Sequence, residues 1–465
     1  MSPLLPTLVG VDVGTARIKA VALGVEGDEL AQADRRTPWR RDGTDVEMEP
    51  DELAGVVRSV VRDVVVAAGR ERGSAVRVAG LGVAGMAEAG VLVDRRGAPL
   101  ARIVAWHDPR GDVELLRGEI GVEPFQRAVG MPLDAQPSLA KIAWLRRSEP
   151  GVREAVRFLS VPEWAVASLG GSPESELSLA CRTGLLDIGE RGPFAGATAL
   201  LGRELLGEVV LAGTPAGRAR HDALPHEVRN AVLTVAGHDH QVAALAAGAA
   251  RPHALFDSMG SAESLVRCVE GALQPAVVGR LVEHGFTVGW GVVAGRSAVA
   301  GGLRTGLQLE DVAALLGARD REARRRLAEE AQLLAPSELP ARVLPRDEKT
   351  SNVLDLLARG VAPAAVWAGA VRDVTTRSTE LVARMVAELG PHEDLTLGGG
   401  WARNPAVLAE KRRQLGMLTV SMLSEAGATG AALLAGIAAE ILERPETDPS
   451  PIWSLRAVPR ERKAL

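Results

Sequence analysis

Short apolar runs alternate along the chain with stretches whose apolar residues recur at helical spacing. Residues 7–35 predict three short strands joined by tight turns. Residues 51–69 predict a helix that starts with acidic side chains, and residues 76–85 predict a buried strand. Residues 138–222 mix helical patterns with glycine-rich turns and predict no definite order of elements. Because strands and helices alternate, the predicted fold class is α/β.

The same alternation continues in the second half of the chain. Residues 234–240 predict a strand that runs into a turn before a helix, and residues 254–269 predict a strand–turn–strand unit. The remaining predicted elements are a charged helical stretch at 309–334, a long helix at 362–389, a strand entering a glycine-rich turn at 394–400, a helix at 404–416 and a final helix after residue 425. The proline- and arginine-rich tail after residue 444 is predicted to be peripheral.

Length and composition limit the classes of protein to consider. A chain of 465 residues exceeds the usual size of one domain, so two domains are expected. Hydrophobic residues make up 46% and charged residues 24%, as in soluble globular proteins. The net charge of −5, without a basic block, argues against a nucleic-acid partner. Two cysteines, no signal-peptide pattern and no long uncharged apolar run predict a cytoplasmic protein without a membrane span.

One loop pattern occurs twice, once near the start of each half. Residues 12–16 and residues 257–262 each place an acidic residue, a glycine and a hydroxyl residue in a predicted hairpin. Two copies suggest a duplicated domain. One copy alone would be weak evidence, because glycine, serine and threonine are common in ordinary hairpins.

The first of these hairpins suits an anionic ligand. Gly14 and Thr15 at its tip expose backbone N–H groups and a hydroxyl, which suit phosphate. Lys19, one of only five lysines in the chain, can fold back over the tip and contact phosphate oxygens. Asp12 can hold Mg²⁺ or its waters. An ordinary surface hairpin is the alternative, and the chain has neither a Walker loop nor a Rossmann glycine pattern after its first strand.

Six segments, taken in order along the chain, resemble those of the FGGY family of carbohydrate kinases, within the actin-like ATPase superfold. They are residues 10–19 (first phosphate loop), 104–111 (the W-x-D-x-R segment), 236–248 (the segment with the catalytic aspartate), 258–262 (second phosphate loop), 397–405 (adenosine loop) and 425–435 (the segment after it). Each segment alone is a weak match. Together they span nearly the whole chain, and the resemblance accounts for the repeated hairpin.

The resemblance implies two actin-like (ribonuclease H-like) ATPase domains with a central cleft. The N-terminal domain, on the sugar side, is expected over residues 1–248, the C-terminal domain over 249–443 and a peripheral tail over 444–465. The implied activity is transfer of the γ-phosphate of ATP, with Mg²⁺, to a hydroxyl of a small sugar, polyol or sugar acid. The sequence leaves the oligomeric state open, a homodimer included.

The resemblance also implies the site residues. Asp239 aligns with the family's general base, and a carboxylate there can take the proton of the attacking hydroxyl; a helix N-cap aspartate is the ordinary alternative. The implied substrate contacts are Glu88, Trp106, Asp108 and Arg110, the implied metal residue is Asp12, and the implied nucleotide contacts are Gly14, Thr15, Lys19, Gly260, Ser261, Gly306, Gly399, Gly400 and Asn404. His238 and His240, two residues apart, are predicted on opposite sides of an extended segment, as local polar contacts rather than metal ligands.

Several alternatives stay open. Glu88 is equally well interpreted as a surface acid in a loop, and Trp401 either flanks the adenine or belongs to the core. The loops depart from the family pattern at Ala16, at Ala87 and in the second hairpin, which reads SMGSA. A non-catalytic actin-like protein that binds sugar and nucleotide is the second hypothesis for the whole chain. Another actin-like phosphotransferase is a third, which the W-H-D-P-R segment and the length disfavour.

Overall fold

The computed structural model describes residues 6–345 and 352–443, so the predicted peripheral tail lies outside the described residues. The strands are β1 Pro6–Val13, β2 Arg17–Gly24, β3 Glu29–Arg36, β4 Arg40–Asp42, β5 Asp45–Met48, β6 Arg77–Gly85, β7 Gly90–Val93, β8 Ile103–Val104, β9 Arg157–Ser160, β10 Ser175–Glu176, β11 Leu186–Asp187, β12 Gly192–Pro193, β13 Val209–Val210, β14 Pro215–Arg218, β15 Val232–His238, β16 Ala254–Met259, β17 Glu263–Glu270, β18 Thr287–Trp290, β19 Arg296–Leu303, β20 Asp394–Gly398 and β21 Thr419–Val420.

The α-helices are α1 Pro50–Arg72, α2 Val113–Glu119, α3 Val122–Val129, α4 Ser138–Ser148, α5 Val161–Ser168, α6 Leu177–Ala180, α7 Ala195–Leu201, α8 Asp239–Ala246, α9 Pro275–Glu283, α10 Thr305–Leu315, α11 Arg321–Gln332, α12 Val353–Ala358, α13 Pro363–Leu389, α14 Pro405–Leu415 and α15 Ala426–Ala438. Short 3₁₀ helices lie at Pro150–Glu154, Pro336–Glu338 and Trp401–Arg403. Strands and helices alternate as the sequence predicts, and the α/β class is confirmed. None of the helices in the described ranges is both long and apolar enough to cross a membrane.

The chain divides into two compact units. Of the described residues, unit 1 comprises 6–252, 268–299 and 425–443, and unit 2 comprises 253–267, 300–345 and 352–424. The expected domains, divided near residue 248, stay a prediction. Helix α15, the last helix of the described residues, belongs to unit 1 because it packs against β1 and β6.

Unit 1 is built on a six-stranded sheet with the strand order β14-β15-β6-β1-β2-β3. β1 pairs antiparallel with β2, whereas β1 and β15 each pair parallel with β6. Helix α15 approaches the sheet so closely that a side chain at Gly10 would collide with the backbone carbonyl of Ala428. Glycine at this position therefore lets helix and sheet backbones meet, and it places the end of β1 beside the start of α15.

Unit 2 contains β16, the first part of β17, β20 and β21, packed with several helices. β16 pairs antiparallel with β17 and parallel with β20. Its core is centred on helix α13, where Trp367 is fully buried. The charged helical stretch predicted at 309–334 is helical but forms two helices, α10 and α11. The chain breaks there because Gly317 adopts a left-handed backbone with φ 77°.

Candidate active site

The first predicted phosphate hairpin forms in unit 1, between β1 and β2. At its tip the Gly14 N–H donates to the carbonyl of Arg17 over 3.1 Å, and the Thr37 hydroxyl donates to the Gly14 carbonyl over 2.7 Å. The Trp106 indole N–H donates to the Thr15 hydroxyl oxygen over 2.9 Å. The structure thus brings together a residue predicted to contact phosphate and one predicted to contact sugar. Trp106 is half-buried and meets the His107 ring edge-on, at 5.1 Å between centroids.

Asp12 and Lys19 face each other across this hairpin, as cross-strand partners on β1 and β2. The Lys19 ammonium pairs with Glu425, just before α15, at 2.6 Å. Burial, together with the negative charge of Asp239, raises the pKa of Asp12 to about 8. The two predicted acidic residues of the site are therefore near neighbours that do not readily ionise together.

The surroundings of Asp12 fit a divalent cation. Its Oδ1 is buried, and none of the residues that the structure describes gives it a hydrogen-bond partner. Within those residues there is also no cluster of three or more histidine, cysteine or carboxylate side chains that could hold a metal alone. One or two carboxylates completed by water and phosphate oxygens is the arrangement that Mg²⁺ prefers.

Asp239 is the first residue of α8, directly after β15, and His238 occupies the N-cap. The N-cap alternative is therefore wrong for Asp239, whose carboxylate accepts from the His240 backbone N–H at 2.7 Å. Burial alone would raise the pKa of Asp239. The electrostatic influence of His240, His238 and Arg182, together with the hydrogen bond from the His240 backbone N–H, is larger and lowers the pKa of this carboxyl. Asp239 is thus an ionised, half-buried carboxylate whose charge acts on Asp12 of the first hairpin.

The two histidines around Asp239 are not on opposite sides, and that prediction is wrong. Their rings meet edge to face with centroids 5.7 Å apart, because residue 240 already lies in the first helical turn. Burial lowers the pKa of His238 to about 3, so its imidazole is neutral at neutral pH. Their role as local polar contacts stays a prediction, and the described residues give the buried His238 Nδ1 no hydrogen-bond partner.

Glu88 is buried, so its interpretation as a surface acid is wrong. It follows β6 with a left-handed backbone, φ 59°, which is uncommon outside glycine and asparagine. Its Oε1 accepts from the Arg182 Nε at 2.8 Å and from the Gln136 side chain at 3.1 Å. Sequence reasoning missed Arg182 and Gln136, which are distant from Glu88 along the chain.

Asp108 and Arg110 form an ion pair that holds their own loop. The Asp108 carboxylate accepts from the Val46 N–H at 2.7 Å and from the Arg110 Nη2 at 2.8 Å, and the residue is 1% exposed. Arg110 also contacts Asp45 and Glu47, each at 3.2 Å. Both residues therefore anchor the segment that carries Trp106, and their predicted direct contact with substrate hydroxyls stays a prediction.

A buried polar network supports the end of β15. The Ser178 hydroxyl donates to Glu176 at 2.6 Å and accepts from the His238 backbone N–H at 3.0 Å. Gly237, with φ 109°, leaves no room there for a side chain beside the Ser178 oxygen. The sequence carries no signal for this network, which fixes the backbone immediately before Asp239.

The second predicted phosphate hairpin forms in unit 2, between β16 and β17. A side chain at Gly306 would collide with the Gly260 carbonyl, and the Leu307 N–H donates to the Ser261 carbonyl at 2.8 Å. Gly399, with φ 90°, packs against the backbone of Met259. The structure therefore brings Gly260, Ser261, Gly306 and Gly399 together in one place.

The other two residues predicted to contact the nucleotide are helix caps in the structure. Gly400 is the N-cap of the 3₁₀ helix Trp401–Arg403, and the Asn404 side chain caps α14 by accepting from the Ala406 and Val407 N–H groups. Trp401 is 8% exposed and lies 5.9 Å from Trp367 between ring centroids. Of the two alternatives for Trp401, the structure supports the second, because the side chain belongs to the hydrophobic core of unit 2.

A buried ion cluster lies under the second hairpin and was also missed. Lys411 on α14 is fully buried, and its ammonium contacts Asp257 and Glu263 at 2.6 Å each. Because lysine is scarce in this chain, Lys411 could have drawn attention. No local sequence pattern, however, connects it to Asp257 and Glu263, which lie about 150 residues earlier. The cluster ties α14 to both strands of the hairpin.

The two α/β units each contain one of the predicted hairpins, and the fold is that of two actin-like domains. The chain belongs to the FGGY family of carbohydrate kinases: the model of the family's N-terminal domain matches residues 7–246. The chain is similar to the xylulose kinase from Rhodospirillum rubrum (TM-score 0.77, 23% identity, 93% of this chain and 89% of that one) and to Plasmodium falciparum glycerol kinase with ADP (TM-score 0.78, 16% identity, 94% and 90%).

Sequence relatives agree with this family. A glycerol kinase from Methylorubrum extorquens (strain PA1) is 31% identical over 200 residues, which are 40% of this chain and 39% of that protein. The chain thus spans about two fifths of the length of this first curated relative. A glycerol kinase from Bordetella parapertussis is 28% identical over 462 residues, 93% of this chain and 88% of that protein.

Proposed function

We propose that this chain is an ATP-dependent carbohydrate kinase that transfers the γ-phosphate of MgATP to a hydroxyl of a sugar, polyol or sugar acid. The observation that carries the proposal is a pair of half-buried carboxylates, Asp12 at the first hairpin and Asp239 at the start of α8. Asp239 is held ionised, whereas the pKa of Asp12 is raised to about 8. Carboxylates whose pKa values are driven apart take different roles, here proton acceptor and metal residue.

Asp239 is the general base of the proposed reaction. A hydroxyl attacks phosphorus effectively only as its proton leaves, and the Asp239 carboxylate accepts that proton while the new O–P bond forms. Ser178 supports this role through the backbone of His238, and Arg182 favours the ionised form of Asp239. These contacts hold the base in place before substrate binds.

The first hairpin is proposed to bind the phosphate chain. The Gly14 and Thr15 backbone and the Lys19 ammonium supply donors, and Asp12 would hold Mg²⁺, directly or through water. The bound ion would neutralise charge on the transferred phosphate. In unit 2, the clustered loops with Gly260, Ser261, Gly306, Gly399 and Gly400 are proposed to contact the nucleotide, with Asn404 as a structural cap.

The proposal is tested by ADP release from ATP over a panel of pentuloses, hexuloses, polyols and aldonates. We expect Mg²⁺-dependent ADP release with at least one member, at a rate well above that without acceptor. Phosphorylated product, identified by mass spectrometry, must appear in equal amount. Binding of a panel member without any ADP release would contradict the proposal and support a non-catalytic binding protein.

A further inference from the structure

The carboxylate of Glu88 is occupied on one side only. Its Oε1 accepts from the Arg182 Nε at 2.8 Å, from the Nη2 of the same guanidinium and from the Gln136 Nε2 at 3.1 Å. All three of these hydrogen bonds from described residues go to Oε1, and none of them uses Oε2. Arg182 therefore fixes one oxygen of Glu88 and leaves the other available as an acceptor.

The backbone supports the same orientation. Glu88 holds a left-handed φ of 59°, and its carbonyl accepts from the Ser138 hydroxyl at 2.7 Å. Such backbone strain in a residue other than glycine persists only when its surroundings over-determine it, and it concentrates at ligand sites. Glu88 and Arg182 are also only 5% and 10% exposed in their side chains, so the pair is a built, desolvated feature of unit 1.

Both buried cations near Glu88 already have protein partners. Arg182 donates to Glu88, and the Lys141 ammonium donates to the carbonyls of Ala135 at 2.6 Å and Asp108 at 3.0 Å. Among the other charged groups here, Asp239 is an ionised carboxylate. A substrate carboxylate placed beside Glu88 would thus meet like charge, whereas a substrate hydroxyl could donate to Glu88.

We propose, on the basis of the kinase function above, that Arg182 is a specificity-determining residue that selects neutral sugars or polyols over sugar acids. It does so by fixing Oε1 of Glu88 and leaving Oε2 to accept a hydrogen bond from the substrate. Two of the five N–H donors of the guanidinium, on Nε and Nη2, go to the Glu88 carboxylate, so a substrate carboxylate would compete with Glu88 for this cation. Arg182 acts on selectivity through Glu88, in addition to favouring the ionised form of Asp239, so the test compares ratios of kcat/KM rather than absolute rates.

The test compares kcat/KM for matched neutral and acidic acceptors, such as xylitol with xylonate and sorbitol with gluconate. We expect the wild type to prefer the neutral member by at least about 100-fold, the size of an uncompensated like-charge contact. Glu88→Gln leaves Arg182 without its carboxylate, and the preference should fall at least about tenfold as the acid gains a cation. The double variant Glu88→Gln/Arg182→Met, neutral at both positions, should lose preference without gaining affinity for the acid.

Arg157→Met is the matched control, because Arg157 pairs with Glu174 elsewhere in unit 1 at 3.0 Å. It should leave the preference within about twofold of wild type. Equal kcat/KM for acid and neutral acceptors in the wild type, or an unchanged preference in both Glu88 variants, would overturn the proposal. If no acceptor were phosphorylated, the proposed kinase function would be wrong. The role of Arg182 could then still be tested by calorimetric binding of the same pairs of acceptors. Tighter binding of the acids by the wild type would overturn that role.

Discussion

Lys19 and Glu425 form an ion pair in unit 1, with 2.6 Å between Nζ and Oε2. Lys19 lies on β2 opposite Asp12, and Glu425 directly precedes α15. The pair joins the first phosphate hairpin to the helix whose backbone meets β1 at Gly10. It holds the Lys19 ammonium beside the hairpin, where the proposed phosphate chain binds.

Lys19→Ala should therefore weaken ATP more than the sugar. Loss of one charge-assisted contact to phosphate corresponds to about a 10- to 100-fold rise in KM for ATP, with KM for the acceptor changed less than about threefold. Steady-state kinetics with each substrate varied in turn measure both values. Arg35→Ala, which removes an exposed partner of Asp63, is the control and should change neither. A selective acceptor defect in Lys19→Ala would contradict the phosphate role.

Asp12→Asn should change how stability depends on pH. Folded Asp12 keeps its proton up to about pH 8, whereas an unfolded aspartate releases it near 3.8, so the folded state binds more protons between these values. The contribution of Asp12 to stability is therefore present at low pH and lost as pH rises toward 8. Without Mg²⁺, the variant should melt at a higher temperature than wild type at pH 8, and the difference should shrink toward pH 4.

Thermal unfolding of both proteins in chelator, at several pH values, measures this difference. The comparison cancels the other titrating groups, which the two proteins share. The same variant should lose Mg²⁺-dependent activity because the proposed metal residue is gone. A melting temperature below wild type at pH 8 would show that Asp12 is stabilised as a carboxylate and would contradict the burial argument.

Gly306→Ala tests the packing of the second hairpin. The added methyl group would collide with the Gly260 carbonyl, so either α10 or the hairpin must move. Overpacking of this kind costs about 1–3 kcal/mol, and we expect KM for ATP to rise about tenfold as the hairpin shifts. Gly55→Ala, in α1 with open space around it, is the control and should be neutral or slightly stabilising. An unchanged KM for ATP in Gly306→Ala would contradict a role of this hairpin in nucleotide binding.

Local patterns account for much of the fold. The strand meander at the amino terminus, helix α13 and the strand–helix junction at Asp239 all follow from periodicity and turn residues, and the structure confirms them. The break between α10 and α11 was missed because the residues on both sides of Gly317 continue a helical pattern. The turn is visible only from the left-handed backbone of this glycine.

The interior of the site was less predictable. Glu88 pairs with Arg182, 94 residues later, and Lys411 pairs with Asp257, 154 residues earlier. Contacts over such separations leave no local signal in one sequence. Asp108 illustrates the opposite case, since its type and position suggested a hydroxyl acceptor, whereas its neighbours Val46 and Arg110 use both carboxylate oxygens.

The Asp239→Asn variant tests the central claim most directly, through single-turnover phosphate transfer from MgATP to the best acceptor alongside calorimetric ATP binding. The amide keeps the shape of the side chain but cannot take the proton. We predict a transfer rate lower by about 10²–10⁴-fold and an ATP affinity within about threefold of wild type. The control Asp63→Asn, at a half-buried carboxylate on α1 that pairs with Arg35, should match wild type in both. Transfer by Asp239→Asn at the wild-type rate would contradict Asp239 as the general base.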